Sequence, residues 1–323
     1  MAAPCVVGVD LGGTKLLAGA LDENLNVHHR AQRATHELGQ EELLDTVVAA
    51  VEEVRVAADS PMRAVGFGIP CTIDQTRGIA VVAVNIALAD LPFRDVMAER
   101  LGLPVFVDND ANVAALAEQR FGAARGADHV VMLTIGTGIG GGLILGGELY
   151  RGAVGAAAEL GHCVVEMDGP RCQGNCPNRG CLEAVASGTA LAREAVAAAR
   201  AAPDSALGGA LADGHELKGA LVTELAHDGD DAARSVLELI GRRLGVGIAN
   251  YVNIFNPQLV VLGGGVMAAG EFLLAPARAE MLARALPPGR DTVEVVAARF
   301  GTEAGMVGAG ALAFDGLEAA TAA

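Results

Sequence analysis

The sequence is poor in positive charge. It carries a formal net charge of −16, has only two lysines, Lys15 and Lys218, and contains no cluster of lysine and arginine. Proteins that bind nucleic acids or membrane surfaces usually present a basic stripe or face, so we expect neither kind of partner. A small anionic substrate stays compatible with this charge, because one local group of backbone N–H groups can outweigh it.

The sequence also lacks segments that direct a chain to or across a membrane. Its N-terminus has no basic region followed by an apolar one, so no secretory signal is expected. Residues 130–147 and 244–270 are uncharged and long enough for a membrane span, but the first is rich in glycine and the second contains three asparagines. We expect both to be buried soluble structure in a cytoplasmic protein.

Cysteine is scarce outside one segment. Four of the six cysteines lie within residues 161–183, together with one histidine. Such a cluster is typical of a disulfide staple, a metal site or part of a catalytic site. Thiols stay reduced in the cytoplasm, which weakens the disulfide interpretation without excluding it.

The chain reads as a two-domain α/β protein. Its 323 residues are enough for two domains. Apolar periodicity predicts helices over 41–58, 182–202 and 234–253, and these alternate with short apolar strands. Two strand–turn–strand units, about 125 residues apart, indicate a duplicated domain.

Glycine-rich turns follow three of the predicted strands. The turns contain Gly12, Gly13, Thr14 and Lys15; Gly136, Thr137 and Gly138; and Gly263, Gly264 and Gly265. Glycine lets backbone N–H groups approach an anion closely, so three such turns favour nucleotide binding. Asp10, just before the first turn, suits a magnesium ion. No turn matches the P-loop or opens a helix in the dinucleotide pattern, so a P-loop ATPase and an NAD enzyme are disfavoured.

A second carboxylate group follows the predicted strand 105–107. The strand leads into Asp108, Asn109 and Asp110, at the end of a strand where α/β sheets place their ligands. Asp110 suits a general base acting on a substrate hydroxyl, and Asn109 offers a donor and an acceptor to a polyol. The alternative is that Asp108 or Asp110 only caps the following helix.

These motifs together resemble one family. The stretches "VGVDLGGTK", "VDNDANVAALAE", "GTGIGGGLILGGELYRG", "AAELGH" and "CPNRGCLE" occur in this order. In that combination the chain resembles the ROK family (repressors, open reading frames, kinases) over about residues 5–315. The family includes bacterial glucokinases and N-acetylhexosamine kinases.

The resemblance implies an α/β, two-domain actin/hexokinase-type (ribonuclease H-like) ATPase fold with a duplicated mixed β-sheet core. It implies a small N-terminal domain at 1–117, on which a C-terminal helix at about 302–317 packs back. A larger domain would follow at 118–301, with a zinc-binding insert at 162–181. Two lobes would close over a hexose and Mg·ATP, and the chain would form a homodimer or homotetramer.

The resemblance also assigns roles to single residues. Asp110 matches the catalytic base, and Asp10 matches the first phosphate loop, where we expect it to hold magnesium through water. The three glycine turns match the ATP-binding loops. The positions that match sugar ligands are Asn85, Asn109, Asp110, Glu159, His162 and Glu183.

A zinc site is the last implication of the resemblance. The family pattern is a histidine, nine residues, then C-x-C-G-x-x-G-C-x-E. Here His162, Cys172, Cys176 and Cys181 fit it, except that three residues rather than one separate Cys172 from Cys176, and Pro177 replaces a glycine. One histidine and three cysteines form the closed ligand set of a structural zinc, which would fix how His162 faces the sugar.

Several departures from the family leave the substrate open. Relatives read "GVPGPVD" where this chain has "GIPCTID", relatives often have a glycine at the position of Ala158, and tryptophan is absent. We therefore expect ATP-dependent phosphorylation of glucose at C6, with an N-acetylmannosamine or N-acetylglucosamine kinase, or a non-catalytic sugar-binding protein, as alternatives. Polyphosphate also stays open as a donor. A repressor would need a winged helix, and only nine residues precede Asp10.

Overall fold

The structure is a computed structural model that describes residues 5–58, 60–83 and 86–322. Its contacts divide the chain into two compact units. The first comprises residues 1–126, 142–158 and 299–323, and the second residues 127–141 and 159–298. The bounds 1–117 and 118–301 given above stay a prediction for the folding domains.

Strands alternate with helices along the first part of the chain. The strands are β1 (Cys5–Leu11), β2 (Lys15–Leu21), β3 (Val27–Ala34), β4 (Met62–Ile69), β5 (Cys71–Asp74), β6 (Ile79–Ala83), β7 (Ala89–Leu91) and β8 (Val105–Asn109). The helices are α1 (Gln40–Ala57), α2 (Phe93–Leu101) and α3 (Asp110–Phe121). Strands β5, β6 and β7 form a small antiparallel sheet.

The first five-stranded sheet has the order β3-β2-β1-β4-β8. Strands β1 and β2 form the antiparallel hairpin expected around the first glycine turn, whereas β1, β4 and β8 are parallel. In the register, Asp10 lies opposite Gly68, and Gly68 opposite Asp108. The parallel pairing therefore brings the acidic residues that end β1 and β8 to the same edge of the sheet.

A second sheet repeats this strand order. Its strands are β9 (Val130–Ile135), β10 (Ile139–Leu145), β11 (Glu148–Leu149), β12 (Leu259–Gly263) and β13 (Glu294–Ala297), arranged β11-β10-β9-β12-β13. As in the first sheet, the strands of a glycine hairpin neighbour each other and the first of them pairs in parallel with a later strand. The predicted duplicated mixed sheet is confirmed.

The remaining helices are mostly in the second unit. They are α4 (Leu182–Ala186), α5 (Gly188–Ala201), α6 (Ala206–Ala212), α7 (Gly219–His227), α8 (Asp231–Phe255), α9 (Glu271–Arg284), α10 (Gly289–Thr292) and α11 (Ala304–Ala322). Helix α8 is capped by Asp230, whose side chain accepts from the N–H of Ala233. Among the helices described here, none is long and apolar enough to span a membrane.

The predicted helix over 182–202 is wrong in one respect, because it breaks at Ser187. This residue is extended, with φ −76° and ψ 175°, and its hydroxyl caps α5 by accepting from the N–H of Ala190. The next N–H, of Gly188, donates to the carbonyl of Gly136 at 2.8 Å. The chain leaves the helix here because its backbone bonds to the second glycine turn instead.

Helix α11 lies directly on the first sheet, in the first unit. A Cβ added to Gly8 would be 2.1 Å from the Met306 carbonyl oxygen, and one added to Gly66 would be 1.8 Å from that of Ala309. Only glycine permits this approach, since a side chain on β1 or β4 would push the helix away. The contact places the start of α11 beside the acidic edge of the sheet.

Candidate active site

The acidic loop between β8 and α3 is ordered by its own side chains. The side chain of Asn109 caps α3, since its Oδ1 accepts from the N–H of Ala111 at 2.9 Å and of Asn112 at 3.3 Å. The capping role considered for Asp108 or Asp110 therefore falls to Asn109. Asp110 is half-buried at the first position of α3, where its Oδ1 lies 2.9 Å from the N–H of Ala111.

Asp108 is a buried carboxylate that organises this loop. It is 1% exposed, and its Oδ2 lies 2.6 Å from Nε of Arg151. Its Oδ1 accepts from the N–H of Asn109 at 2.8 Å and from the side chain of Asn112 at 2.9 Å. A buried charge needs such partners, because desolvation without them is costly. The pair fixes the backbone that carries Asn109 and Asp110.

Asp10 lies where its charge is disfavoured. The pKa of Asp10 is raised to about 7, mainly by burial and also by the nearby Asp110, while Lys15 acts in the opposite direction. A Cβ added to Gly305, in the first turn of α11, would lie 2.5 Å from Cγ of Asp10. Two neighbouring carboxylates of this kind suit a divalent cation, whose charge would offset both burial and repulsion.

The first glycine turn, residues 12–15, is held from one side by Thr35. The Thr35 hydroxyl donates to the carbonyl of Gly12 at 2.7 Å, and the Thr35 N–H donates to that of Thr14 at 3.1 Å. Thr35 is buried, whereas Thr14 and Lys15 are exposed. The carbonyl groups thus face the protein, while the hydroxyl and ammonium groups remain available to a ligand.

The second glycine turn, residues 136–138, is held by the start of α5. The carbonyl of Thr137 accepts from the Thr189 N–H at 3.4 Å and lies 2.9 Å from the Thr189 hydroxyl. The side chain of Thr137 is exposed. As in the first turn, a threonine outside the turn lies within hydrogen-bond distance of one of the turn's carbonyl groups.

The third glycine turn, residues 263–265, lies next to the second within the second unit. Gly264 has φ +90°, and a Cβ on it would be 2.4 Å from the carbonyl oxygen of Ile135. A Cβ on Gly188 would be 2.7 Å from the carbonyl oxygen of Gly136 and 3.4 Å from Val266. The close approach of these backbones gathers two turns into one surface.

The predicted metal ligands form one cluster, here called the Cys₃His cluster. The ligand atoms of His162, Cys172, Cys176 and Cys181 all lie within 4.8 Å of one another. The Sγ of Cys172 is 3.5 Å from Nδ1 of His162, and the Sγ atoms of Cys176 and Cys181 are 3.9 Å apart. Tetrahedral zinc would require about 3.6 Å for sulfur to nitrogen and about 3.8 Å for sulfur to sulfur. The donor set therefore fits zinc.

The thiols of the Cys₃His cluster form no disulfide. Burial raises the pKa of the Cys172 thiol, with further contributions from Cys181 and Cys176. Thiolates in such surroundings need a cation to compensate them. The distances and the chemistry of these groups therefore fit a metal site better than a disulfide.

Two predicted sugar ligands touch the Cys₃His cluster. With Nδ1 of His162 directed to Cys172, its Nε2 lies 4.0 Å from Oε2 of Glu159. Glu183 accepts at Oε2 from the N–H of Ile139 at 2.8 Å, while its Oε1 lies 3.7 Å from Sγ of Cys172. Glu183 thus joins the cluster to the strand that begins after the second glycine turn.

The backbone before Glu159 is strained. Ala158 has φ +65°, a left-handed conformation that costs a non-glycine residue roughly 1–2 kcal/mol. The glycine that relatives often carry here would adopt it freely. The segment keeps this geometry although the chain lacks the residue that suits it.

The structure thus gathers the predicted residues into two groups. In the first unit lie Asp10, the first glycine turn, Asn109 and Asp110; in the second lie the other two turns, Glu159, His162, Glu183 and the Cys₃His cluster. Asn85 lies outside the described residues. Sequence reasoning missed Arg151, Thr35 and Gln173, whose contacts join distant segments; only the position of Arg151 inside "GGELYRG" gave a signal.

The chain is similar to known proteins over nearly its whole length. The chain is 39% identical over 310 residues to a glucokinase of Thermotoga maritima, and the aligned part covers 95% of this chain and 96% of the relative. It is 38% identical over 316 residues to a glucokinase of Streptomyces coelicolor, with 95% and 96% covered. The crystal structure of a ROK family glucokinase from Streptomyces griseus, in complex with glucose and AMPPNP, matches with a TM-score of 0.86 at 38% identity, covering 96% of this chain and 99% of that chain.

The chain therefore shares its fold with the Streptomyces griseus glucokinase, and this is the actin/hexokinase-type ATPase fold that the resemblance implied. Residues 6–315 match the ROK family as a whole. With a match over nearly the full length and the family's motifs in order, the chain belongs to the ROK family.

Proposed function

We propose that the protein is an ATP-dependent hexose kinase that phosphorylates glucose at its C6 hydroxyl. The observation that carries the proposal is the Asp110 carboxylate at the acidic sheet edge beside the first glycine turn, in a chain 39% identical to a glucokinase. The relative from Streptomyces griseus was crystallised with glucose and AMPPNP, which supports both substrates.

Asp110 is the proposed general base. Its carboxylate takes the proton of the C6 hydroxyl while that oxygen attacks the γ-phosphorus, and the bond from phosphorus to the β–γ bridging oxygen breaks to release ADP. The loop geometry supports this role, because Asn109 rather than Asp110 caps α3 and Asp108 fixes the backbone.

The glycine turns are the proposed phosphate sites. Their N–H groups, the hydroxyls of Thr14 and Thr137 and the ammonium of Lys15 would stabilise the charge on the transferring phosphoryl group. Asp10 would hold a magnesium ion through water, which supplies further positive charge to the phosphate oxygens. The raised pKa of Asp10 supports this assignment, since such a carboxyl gains most from a cation.

Asn109, Glu159, His162 and Glu183 are the proposed sugar ligands. Asn109 uses its Oδ1 as a cap, which leaves its NH₂ group as a donor. His162 would bind zinc through Nδ1 and keep Nε2 for a sugar hydroxyl. Zinc in the Cys₃His cluster would be structural, because four protein ligands leave no position for a water.

A sugar panel tests the proposal. Glucose, mannose, fructose, N-acetylglucosamine and N-acetylmannosamine are each assayed with ATP and Mg²⁺, and glucose is expected to give the highest kcat/KM. A higher value for either N-acetylhexosamine would move the assignment to that class, and no turnover of any sugar would contradict it. A parallel assay with polyphosphate defines the donor.

We also propose a homodimer or homotetramer, as the family resemblance implies. Light scattering coupled to size exclusion measures the mass directly. A mass close to 32.6 kDa at micromolar concentration would contradict the proposal.

A further inference from the structure

The segment between Cys172 and Cys176 reaches the second glycine turn through Gln173. This segment has two more residues than the family spacing, and Gln173 is the first of its three. Nε2 of Gln173 donates to the carbonyl of Thr137 at 3.3 Å and to the hydroxyl of Ser187 at 3.2 Å. Its Oε1 lies 3.1 Å from the hydroxyl of Thr189. One amide thus joins the Cys₃His cluster, the turn and the start of α5.

The carbonyls of the turn fix where its N–H groups point. The Gly136 carbonyl accepts from Gly188, and the Thr137 carbonyl lies within hydrogen-bond distance of Thr189 and Gln173. In a trans peptide the C=O group and the following N–H group point in opposite directions. The N–H groups of Thr137 and Gly138 are therefore directed away from α5 and from Gln173.

This orientation decides whether the turn can bind an anion. If the Thr137–Gly138 peptide flipped, it would present a carbonyl oxygen where an N–H group is needed, and a phosphate would be repelled. Gln173 opposes the flip because its NH₂ group donates to the carbonyl in the present orientation only. The flip would leave that donor without its turn acceptor.

The main chain of Gln173 is held by metal-ligand residues on both sides. It directly follows Cys172, and its carbonyl accepts from the N–H of Cys176 at 3.3 Å. Cys172 is itself fixed by a hydrogen bond from its N–H to the carbonyl of Asn178 at 3.0 Å. The Cys₃His cluster thus determines where the Gln173 amide lies.

We propose that Gln173 is a positioning residue for the nucleotide: held by the Cys₃His cluster, it keeps the Thr137–Gly138 peptide with its N–H group toward the phosphates of ATP. The inference rests on the proposed function, because it assigns that N–H group to ATP. The inference adds Gln173 to that function as a residue that touches neither substrate and acts by fixing the orientation of the Thr137–Gly138 peptide.

Two substitutions at Gln173 test it against a matched control. Gln173→Ala removes the side chain, whereas Gln173→Met keeps its length and removes only the hydrogen bonds. Asn175→Ala, an exposed change in the same three-residue segment, is the control. Each protein is measured for zinc content, for the Kd of AMPPNP by calorimetry, and for the KM of ATP and of glucose.

Both Gln173 variants are expected to keep their zinc and to bind AMPPNP about three- to tenfold more weakly, as the loss of one or two hydrogen bonds implies. The KM of ATP should rise by a similar factor, while the KM of glucose should stay within about twofold of wild type. The Asn175→Ala control should keep its AMPPNP affinity and both KM values within about twofold of wild type. Unchanged AMPPNP affinity, or rescue by methionine, would overturn the proposal. Loss of zinc or an equal rise in both KM values would also overturn it, by making Gln173 merely structural.

The outcome is separable from that of the proposed function. If the wild type binds AMPPNP but phosphorylates no hexose, the kinase assignment fails while the calorimetric comparison still decides the role of Gln173. If the wild type binds no AMPPNP, both fail.

Discussion

The first and second glycine turns are held in place by different parts of the protein. Residues 12–15 are held by Thr35, a buried residue just after β3, so the first sheet itself supports the turn. Residues 136–138 are held by Thr189, by Gln173 and, through Ile139, by Glu183. Two of these supports adjoin the Cys₃His cluster, since Gln173 directly follows Cys172 and Glu183 lies 3.7 Å from the Sγ of Cys172.

The difference teaches that the first turn is supported by buried protein groups, whereas the second is supported partly by residues beside the proposed zinc site. In the first unit, the Asp108–Arg151 ion pair and the packing of α11 fix the acidic edge. In the second unit, the stretch 172–181 that carries Gln173 buries only Cys172, Gly180 and Cys181, and these two cysteines form a small apolar cluster with Ala184. We therefore expect metal removal to affect the second turn and spare the first.

The largest effect is expected from substitution of Asp110, the proposed general base in the first unit. Asp110→Asn should fold and bind sugar, because Asn109 still caps α3, but its kcat should fall about 10²–10⁴-fold with the loss of the base. Steady-state kinetics and glucose binding by calorimetry measure the two effects. Turnover within about tenfold of wild type would remove Asp110 from this role.

The next largest effect is expected from breaking the ion pair between Asp108 and Arg151 in the first unit. Arg151→Ala leaves the Asp108 carboxylate buried without its cation, and unfolding in urea should show a loss of about 3 kcal/mol. Arg30→Ala is the matched control, since both side chains of its pair with Glu303 are exposed and the pair should contribute less than about 1 kcal/mol. Equal losses in the two variants would mean that burial of Asp108 does not set the cost.

The raised pKa of Asp10 predicts a pH dependence in the absence of Mg²⁺. The folded state holds its proton up to pH about 7, whereas the unfolded chain releases it near 3.8, so this group destabilises the fold progressively as pH rises between these values. Asp10→Asn should therefore be more stable than wild type, by an amount that grows by about 3 kcal/mol from pH 5 to pH 8. A stability difference that stays constant or shrinks over this range would contradict the assignment.

The smallest effect concerns the support of the first turn. Thr35→Val keeps the shape and removes the hydroxyl that donates to Gly12, so AMPPNP should bind about threefold more weakly. Thr46→Val, which removes a hydroxyl bonded to the carbonyl of Glu42 within α1, is the control and should leave the affinity unchanged. An effect of the control as large as that of Thr35→Val would show that the turn is not held in this way.

Local patterns predicted much of the fold and of the site. The glycine hairpins, the duplicated sheet and the long helix α8 follow from the periodicity of apolar residues and from turn residues. The residues of the Cys₃His cluster were implied by the family resemblance, and they lie within 20 positions of one another. These features depend on neighbours in sequence.

The missed features depend on partners that are distant in sequence. Asp108 and Arg151 are 43 positions apart, and Thr137 and Gln173 are 36 apart. The periodicity of the sequence therefore predicts neither contact. The break of the predicted helix at Ser187 has the same cause, because it is the Gly136 carbonyl that binds Gly188. The pKa of Asp10 likewise arises from burial and from Asp110, which lies a hundred positions away.

Hydrogen exchange with and without metal tests the central claim most directly. After zinc is removed by a chelator, the amides of residues 136–139 should exchange at least about tenfold faster, while those of residues 12–15 stay unchanged and re-addition of zinc restores protection. Equal changes in exchange rate in both turns, or no change in residues 136–139, would contradict the claim that the Cys₃His cluster supports the second turn and not the first.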